Sequence, residues 1–84
     1  MEWDVVHVRV SGPHRLFVQF RDGLEGEVQF QPSFFRGVFA PLQDEQAFGQ
    51  VRADDGVVTW PGELDLAPDA MHQAIKDKKI WIVE

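Results

Sequence analysis

Apolar and polar residues alternate along three segments in the first half of the chain. The alternation runs from Val6 to Val10, from Leu16 to Phe20 and from Leu24 to Phe30. In the first segment the valines fall on one face, and His7 and Arg9 fall on the other. A period of two is typical of a strand with one buried face. The pattern therefore predicts three β-strands.

The second and third strands form a hairpin whose register follows from their apolar faces. Phe20 and Leu24 must share the inner face, which leaves Arg21-Asp22-Gly23 as a three-residue loop. Such loops commonly end in a left-handed residue, a conformation that glycine adopts without strain, and Gly23 lies at that position. The predicted inner pairs are Leu16 with Val28 and Val18 with Gly26, and the outer pairs are Arg15 with Gln29, Phe17 with Glu27 and Gln19 with Glu25. A slip of one residue would bury Glu25 and Glu27.

The period changes in the middle of the chain. Residues 32–37, Pro-Ser-Phe-Phe-Arg-Gly, predict a short helical turn closed by glycine. Leu42 to Phe48 predicts another, with Asp44 as the N-cap. A second hairpin follows, because Asp55-Gly56 is a favoured type I′ turn that would place Ala53 opposite Val58.

A helix and an apolar segment follow the Pro61-Gly62 break. Pro68 suits a first helical position, and Met71, Ala74, Ile75 and Lys78 mark one face of a helix that runs to about Lys78. Ile80 to Val83 is a β-prone apolar run. The whole pattern predicts one small α+β domain over residues 1–84. It combines a mostly antiparallel sheet built from hairpins, short helical turns in the middle and one C-terminal helix.

Composition and charge restrict the classes of function. The chain has 84 residues, 44% of them hydrophobic, ten aromatic side chains and no cysteine, so it lacks disulfides and thiolate metal ligands. Its net charge is −6, and its eight basic residues are scattered except for a cluster of Lys76, Lys78 and Lys79. Cations at the end of a helix complement its dipole, so this cluster does not indicate nucleic-acid binding by this chain alone. We find no transmembrane segment and no signal peptide, which favours the cytoplasm.

One segment resembles a known family. The Leu16–Gly23 hairpin is followed by Leu-Gln-Asp at 42–44 with Phe48, and then by residues 60–69, Trp-Pro-Gly-Glu-Leu-Asp-Leu-Ala-Pro-Asp. Over about residues 5 to 72 this order resembles the small bacterial family called domain of unknown function 2442. The resemblance implies a cytoplasmic α+β domain with no established activity. It also implies genes that often lie beside a second small gene, as in toxin–antitoxin pairs.

A first candidate site lies around the Pro61-Gly62 break, where Trp60, Glu63, Asp65 and His72 could line a small pocket. A carboxylate and an imidazole can act as acid and base. The structural alternative, which we favour, makes Trp60 a core residue and gives Asp65 and Asp69 the task of supporting the helix N-terminus.

Other chemical signals are weaker. The histidines at 7, 14 and 72 lack the spacing of metal ligands, and we expect no metal or cofactor. Glu25 and Glu27 lie on one strand face, but a glycosidase pair also needs a cleft with a substrate platform. Neither serine, at 11 or 33, lies in a nucleophile elbow. We therefore expect no enzymatic activity.

The apolar residues give the leading functional hypothesis. One apolar cluster contains Phe34, Phe35, Val38 and Phe39, and an unguarded strand contains Ile80, Trp81, Ile82 and Val83. These residues either complete the core or form an interface with a protein partner or a second copy. We expect a noncatalytic interaction or regulatory module. The alternatives are a small-molecule binder or enzyme that uses Trp60, Asp65 and His72, and a nucleic-acid-associated regulator.

Overall fold

The central hairpin has the register that its apolar faces predict. The computed structural model describes residues 3–62 and 64–84, in which β2 (Arg15–Phe20) pairs antiparallel with β3 (Glu25–Phe30). Leu16 lies opposite Val28 and Val18 opposite Gly26, which confirms the predicted pairs. Gly23 closes the turn with a φ of +89°.

The first strand departs from the predicted alternation. β1 (Val5–Gly12) pairs with β2, and its register shifts between Val5 and His7. The shift adds one unpaired residue, as in a β-bulge, so Val6 turns outward and is 52% exposed. Val5 takes the inner position opposite Phe20, while Val8 lies opposite Val18. The prediction that Val6 shares a face with Val8 is therefore wrong.

The segment Ile80–Val83 is a strand of the same sheet. This strand, β7, pairs parallel to β3 and gives the sheet order β1-β2-β3-β7. The helix α2 (Pro68–Lys78) precedes it, with Pro68 in the first turn and Met71 and Ile75 fully buried, as predicted. Lys79 adopts a left-handed conformation between the helix and β7, with a φ of +66°. The tail thus completes the sheet within one chain.

A second, smaller sheet packs near the start of β1. Its strands are β4 (Arg52–Asp54), β5 (Val57–Trp60) and β6 (Leu64–Asp65) in that order. Asp55 and Gly56 both have positive φ, at 53° and 81°, which agrees with the predicted type I′ turn. The Val5 amide donates to the Gly56 carbonyl at 2.9 Å and so joins the two sheets.

The middle segment is helical but tighter than predicted. It contains 3-10 turns at Pro32–Phe34 and Gly37–Gln43, followed by α1 (Glu45–Phe48). Asp44 caps α1 as predicted, because its side chain accepts a hydrogen bond from the Gln46 amide at 3.1 Å. The segment closes the core, which contains these buried residues: Val5, Leu16, Val18, Phe20, Val28, Phe30, Phe34, Phe35, Leu42, Phe48, Val58, Trp60, Leu66, Met71 and Ile75. The described residues confirm the α+β class.

A histidine–carboxylate contact ties α2 to the central hairpin. His72 Nε2 lies 2.9 Å from Asp22 Oδ2, and the His72 ring packs edge-on against Phe20 at 4.8 Å. The hydrogen bond from His72, with a second from the Leu24 amide, lowers the pKa of the Asp22 carboxyl below its ordinary value. The contact joins residues that are fifty positions apart in the chain.

We predict that His72→Leu raises the pKa of Asp22 toward its ordinary value, because leucine has no donor and the largest cause of the lowering is lost. A lowered folded-state pKa stabilises the fold above the unfolded pKa of about 3.9, and that contribution disappears as the pH falls through the folded value. An NMR titration of the Asp22 carboxyl in both proteins checks the shift. An unchanged Asp22 pKa would show that His72 does not control this carboxylate.

We also predict that Gly26→Ala destabilises the protein by about 1–3 kcal/mol, as overpacking does. A Cβ at this position would lie 2.5 Å from the Lys79 carbonyl oxygen and 2.6 Å from Ile75 Cγ2. Gly12→Ala is the matched control, because its Cβ would meet only Arg15 Cβ at 3.9 Å. Urea unfolding compares the three proteins, and equal losses in both variants would contradict a specific close approach at Gly26.

Candidate interaction site

An apolar groove of about 370 Å³ lies between the second 3-10 turn and the β5–β6 hairpin. Its lining includes Pro41 and Leu42 of the 3-10 turn, Ala47 of α1 and Leu64 of β6. The complete lining is Val38, Pro41, Leu42, Ala47, Gln50, Trp60, Pro61, Gly62 and Leu64. None of these side chains is charged. The groove can therefore receive apolar groups without desolvating a charge in its wall.

Trp60 forms a fixed part of this groove. Its side chain is 1% exposed, and its indole Nε1 donates to the Phe48 carbonyl at 2.9 Å. The ring also packs against those of Phe48 and Phe30, at centroid distances of 5.9 and 6.1 Å. Because the ring is buried and its N–H is already bonded, Trp60 supports the β5 side of the groove and presents no free polar group there.

The turn beside Trp60 is held by short polar bonds. Thr59 Oγ1 donates to the Leu64 carbonyl at 2.8 Å, and the Leu66 amide donates to the Val58 carbonyl at 3.0 Å. Gly62 has a φ of +93°, which glycine adopts without strain. At the other rim, Val38 is 68% exposed. The groove thus has a fixed wall at β5–β6 and an open apolar rim at Val38.

The candidate pocket of Trp60, Glu63, Asp65 and His72 is not assembled in this structure. Asp65 lies opposite Thr59, whereas Trp60 lies opposite Leu64, so Asp65 and Trp60 point to opposite faces of the small sheet. His72 lies on α2 against Phe20 and Asp22. Glu63 lies outside the described residues. The three described members of the set, Trp60, Asp65 and His72, therefore occupy separate places.

The support of α2 also differs from the prediction. Asp65 belongs to β6, and Ala67 takes the N-cap position without a side-chain hydrogen bond. Asp69 remains in the first turn, where its Oδ1 accepts from the Ala70 amide at 2.9 Å. The prediction for Trp60 is confirmed, because it is a core residue, and the supporting role predicted for Asp65 is wrong.

The three histidines have different neighbours. His7 lies edge-on to Phe17 at 6.3 Å on the outer face of the sheet. His14 packs on Phe35 at 4.5 Å, and its Nε2 donates to the Gln43 carbonyl at 3.0 Å. Together with the placement of His72, these contacts distribute the rings over separate parts of the fold. Among residues 3–62 and 64–84, no group of three potential ligands is close enough to hold a metal ion.

A shallow cleft of about 350 Å³ lies on the outer face of the larger sheet. The Arg9 guanidinium packs over the Phe17 ring at 4.7 Å, and Ser11 Oγ donates to Glu27 Oε2 at 2.7 Å. Glu25 and Lys79 also line the cleft, so charges of both signs are present. Glu25 and Glu27 share this face as predicted. The cleft is an open, mixed polar surface with no basic patch.

The predicted interface residues divide between the core and the surface. Phe34 and Phe35 are buried, and Phe39 is half-buried with its ring 4.5 Å from that of Phe34. In β7, Ile80 and Trp81 are half-buried, and Ile82 is 50% exposed. In the described chain, the exposed large apolar side chains are therefore Val38 at the groove rim, Ile82 on β7, and Val6 and Val10 on β1.

Sequence reasoning did not find the groove, because its walls come from positions more than twenty residues apart. Two residues of its lining did carry local signals, Val38 in the apolar cluster and Trp60 in the first candidate site. No helix in the described part of the chain is long and apolar enough to cross a membrane.

No curated protein and no solved structure matches the chain. A family model described as a protein of unknown function, DUF2442, matches residues 5–77. The match includes β1 and most of α2, and it extends five residues beyond the predicted likeness. It covers far more than half of the 84 residues, so this chain belongs to the DUF2442 family.

Proposed function

We propose that this protein is a noncatalytic interaction module that binds an apolar segment of a partner protein in the groove beside Trp60. The groove carries the proposal, because it is uncharged, rigid at Trp60 and open at Val38. Pre-formed apolar pockets near a fixed aromatic ring are typical of the sites that hold interface anchors.

The polar groups of the described residues support a noncatalytic role. No buried side-chain nitrogen or oxygen among them lacks a hydrogen-bond partner. The Asp22 carboxylate, which holds His72, also accepts from the Leu24 amide at 3.0 Å and so closes the hairpin turn. These polar groups have structural tasks, and the groove contains no acid or base.

We place the module as the regulatory, antitoxin-like member of a small two-gene pair. The family resemblance motivates this role through the adjacent genes that it implies. The net charge of −6 suits a basic partner, because opposite net charges accelerate association.

A second candidate function is binding of a small apolar molecule in the same groove. Its volume of about 370 Å³ falls within the range of small-molecule pockets, roughly 300–1,000 Å³. Such a ligand would occupy the groove and compete with a protein segment. The two functions are therefore distinguished by which molecule, a protein or a small apolar compound, changes the signals of the groove residues.

We predict that Val38→Glu weakens binding to the product of the adjacent gene by more than about tenfold, because docking would bury an uncompensated carboxylate. Val6→Glu is the matched control, since Val6 is also an exposed valine but lies on β1, outside the groove. Calorimetry with the purified partner measures the affinities. Amide shifts in the ¹⁵N-labelled protein identify the contact surface.

Equal weakening by both variants would contradict a groove-centred contact. No binding by the wild-type protein would reject the protein-interaction proposal for this partner. Amide shifts at Trp60 and Leu64 caused by an apolar small molecule, without any response to the protein, would favour the second candidate.

A further inference from the structure

The outer side of β7 is an unpaired strand edge. Along the edge of β7 that faces β3, the Lys79 carbonyl accepts from the Glu27 amide at 3.1 Å, and the Val83 carbonyl accepts from the Gln31 amide at 2.9 Å. Backbone groups of alternate residues in a strand point to opposite sides, so those of Ile80 and Ile82 point away from β3. In the described chain, no strand pairs with β7 on that side.

The two edges of this sheet differ in protection. β1 exposes two valines, Val6 and Val10, but its register is irregular near both of them and the charged Arg9 is exposed between them. Bulges and charges oppose edge pairing. β7 consists of Ile-Trp-Ile-Val, with no charge, proline or bulge, and Ile82 is 50% exposed. The β7 edge is therefore available for pairing.

We propose that β7 pairs antiparallel with β7 of a second copy, about a two-fold axis at Trp81. This arrangement places Ile80 opposite Ile82 of the second copy and Ile82 opposite Ile80. These are the residues whose amides and carbonyls point outward, so each edge supplies the donors and acceptors that the other needs. The two sheets would join into one continuous sheet.

The side chains at this edge are also self-complementary. Ile80 and Ile82 lie on the outer face, level with Glu27 and Gln29, so pairing brings four isoleucines together there. Trp81 lies on the inner face level with Val28, and it would meet Trp81 of the second copy at the axis. Both faces of the junction would therefore bury apolar surface.

Charge complementarity selects a second copy in antiparallel orientation. Lys78 and Lys79 precede β7, and Glu84 follows it. Antiparallel pairing places the lysines of each copy beside Glu84 of the other, whereas parallel pairing would place like charges together. Exposed ion pairs contribute little energy, but they fix the direction of pairing.

The contact is small, so the dimer is expected to be weak. Only four residues of each copy would pair, which is less than a standard interface. This inference goes beyond the proposed function, because the groove and β7 share no residue.

The test is sedimentation equilibrium of the full chain at concentrations up to about 1 mM. We expect a monomer–dimer equilibrium that Ile82→Pro weakens by at least about tenfold, since proline removes an edge N–H that β3 does not use. Ile82→Lys should weaken it similarly, and the matched control Val6→Lys should not. Circular dichroism verifies the fold of each variant. If Ile82→Pro fails to fold, the comparison of dimerisation between Ile82→Lys and Val6→Lys tests the proposal instead.

A charge exchange tests the orientation. Glu84→Lys and the double variant Lys78→Glu/Lys79→Glu should each dimerise less than the wild type, and their mixture should regain association. A strictly monomeric wild type at the highest concentration would overturn the proposal, and so would equal dimerisation by folded Ile82→Lys and Val6→Lys. Val38→Glu should dimerise normally, which separates this result from a failure of the groove.

Discussion

The Phe30 side chain lies where the larger sheet, the middle segment and the smaller sheet meet. Its ring contacts those of Phe34 at 5.0 Å, Phe48 at 5.2 Å and Trp60 at 6.1 Å. These neighbours belong to the first 3-10 turn, to α1 and to β5. The contacts around one ring therefore hold together elements that are not joined as neighbouring strands of one sheet. The groove depends on it directly, because Trp60 keeps its place only while Phe48 and Phe30 pack against it.

The polar side chains reinforce these aromatic contacts. His14 joins the start of β2 to the middle segment through the Gln43 carbonyl, and the indole of Trp60 joins β5 to α1. His72 joins α2 to the turn at Asp22. Histidine and tryptophan side chains, which in other proteins often line active sites, here connect the elements of a small domain with limited buried area. Because these polar groups are bonded within the fold, the interaction surface that we propose is the apolar groove.

Local chemistry was sufficient to predict the turns, the Asp44 cap and the start of α2 at Pro68, because each rests on a few adjacent residues. The bulge at Val6 could not be predicted, since Val5 and Val6 are both valines and either could take the inner position. The parallel pairing of β7 joins residues about fifty positions apart, such as Glu27 and Ile80. The groove could not be predicted either, because the segments that line it come together only when the two sheets pack against the phenylalanines.

The groove and the β7 edge become linked if both operate. A two-fold axis at β7 would place two grooves on one particle, one from each copy. A partner that engages both grooves would bind with an avidity set by their separation, although each contact is weak. By thermodynamic linkage, that partner would also strengthen the pairing of β7. A weak dimer therefore suits a regulatory module, because it responds to the partner concentration where a permanent dimer would not.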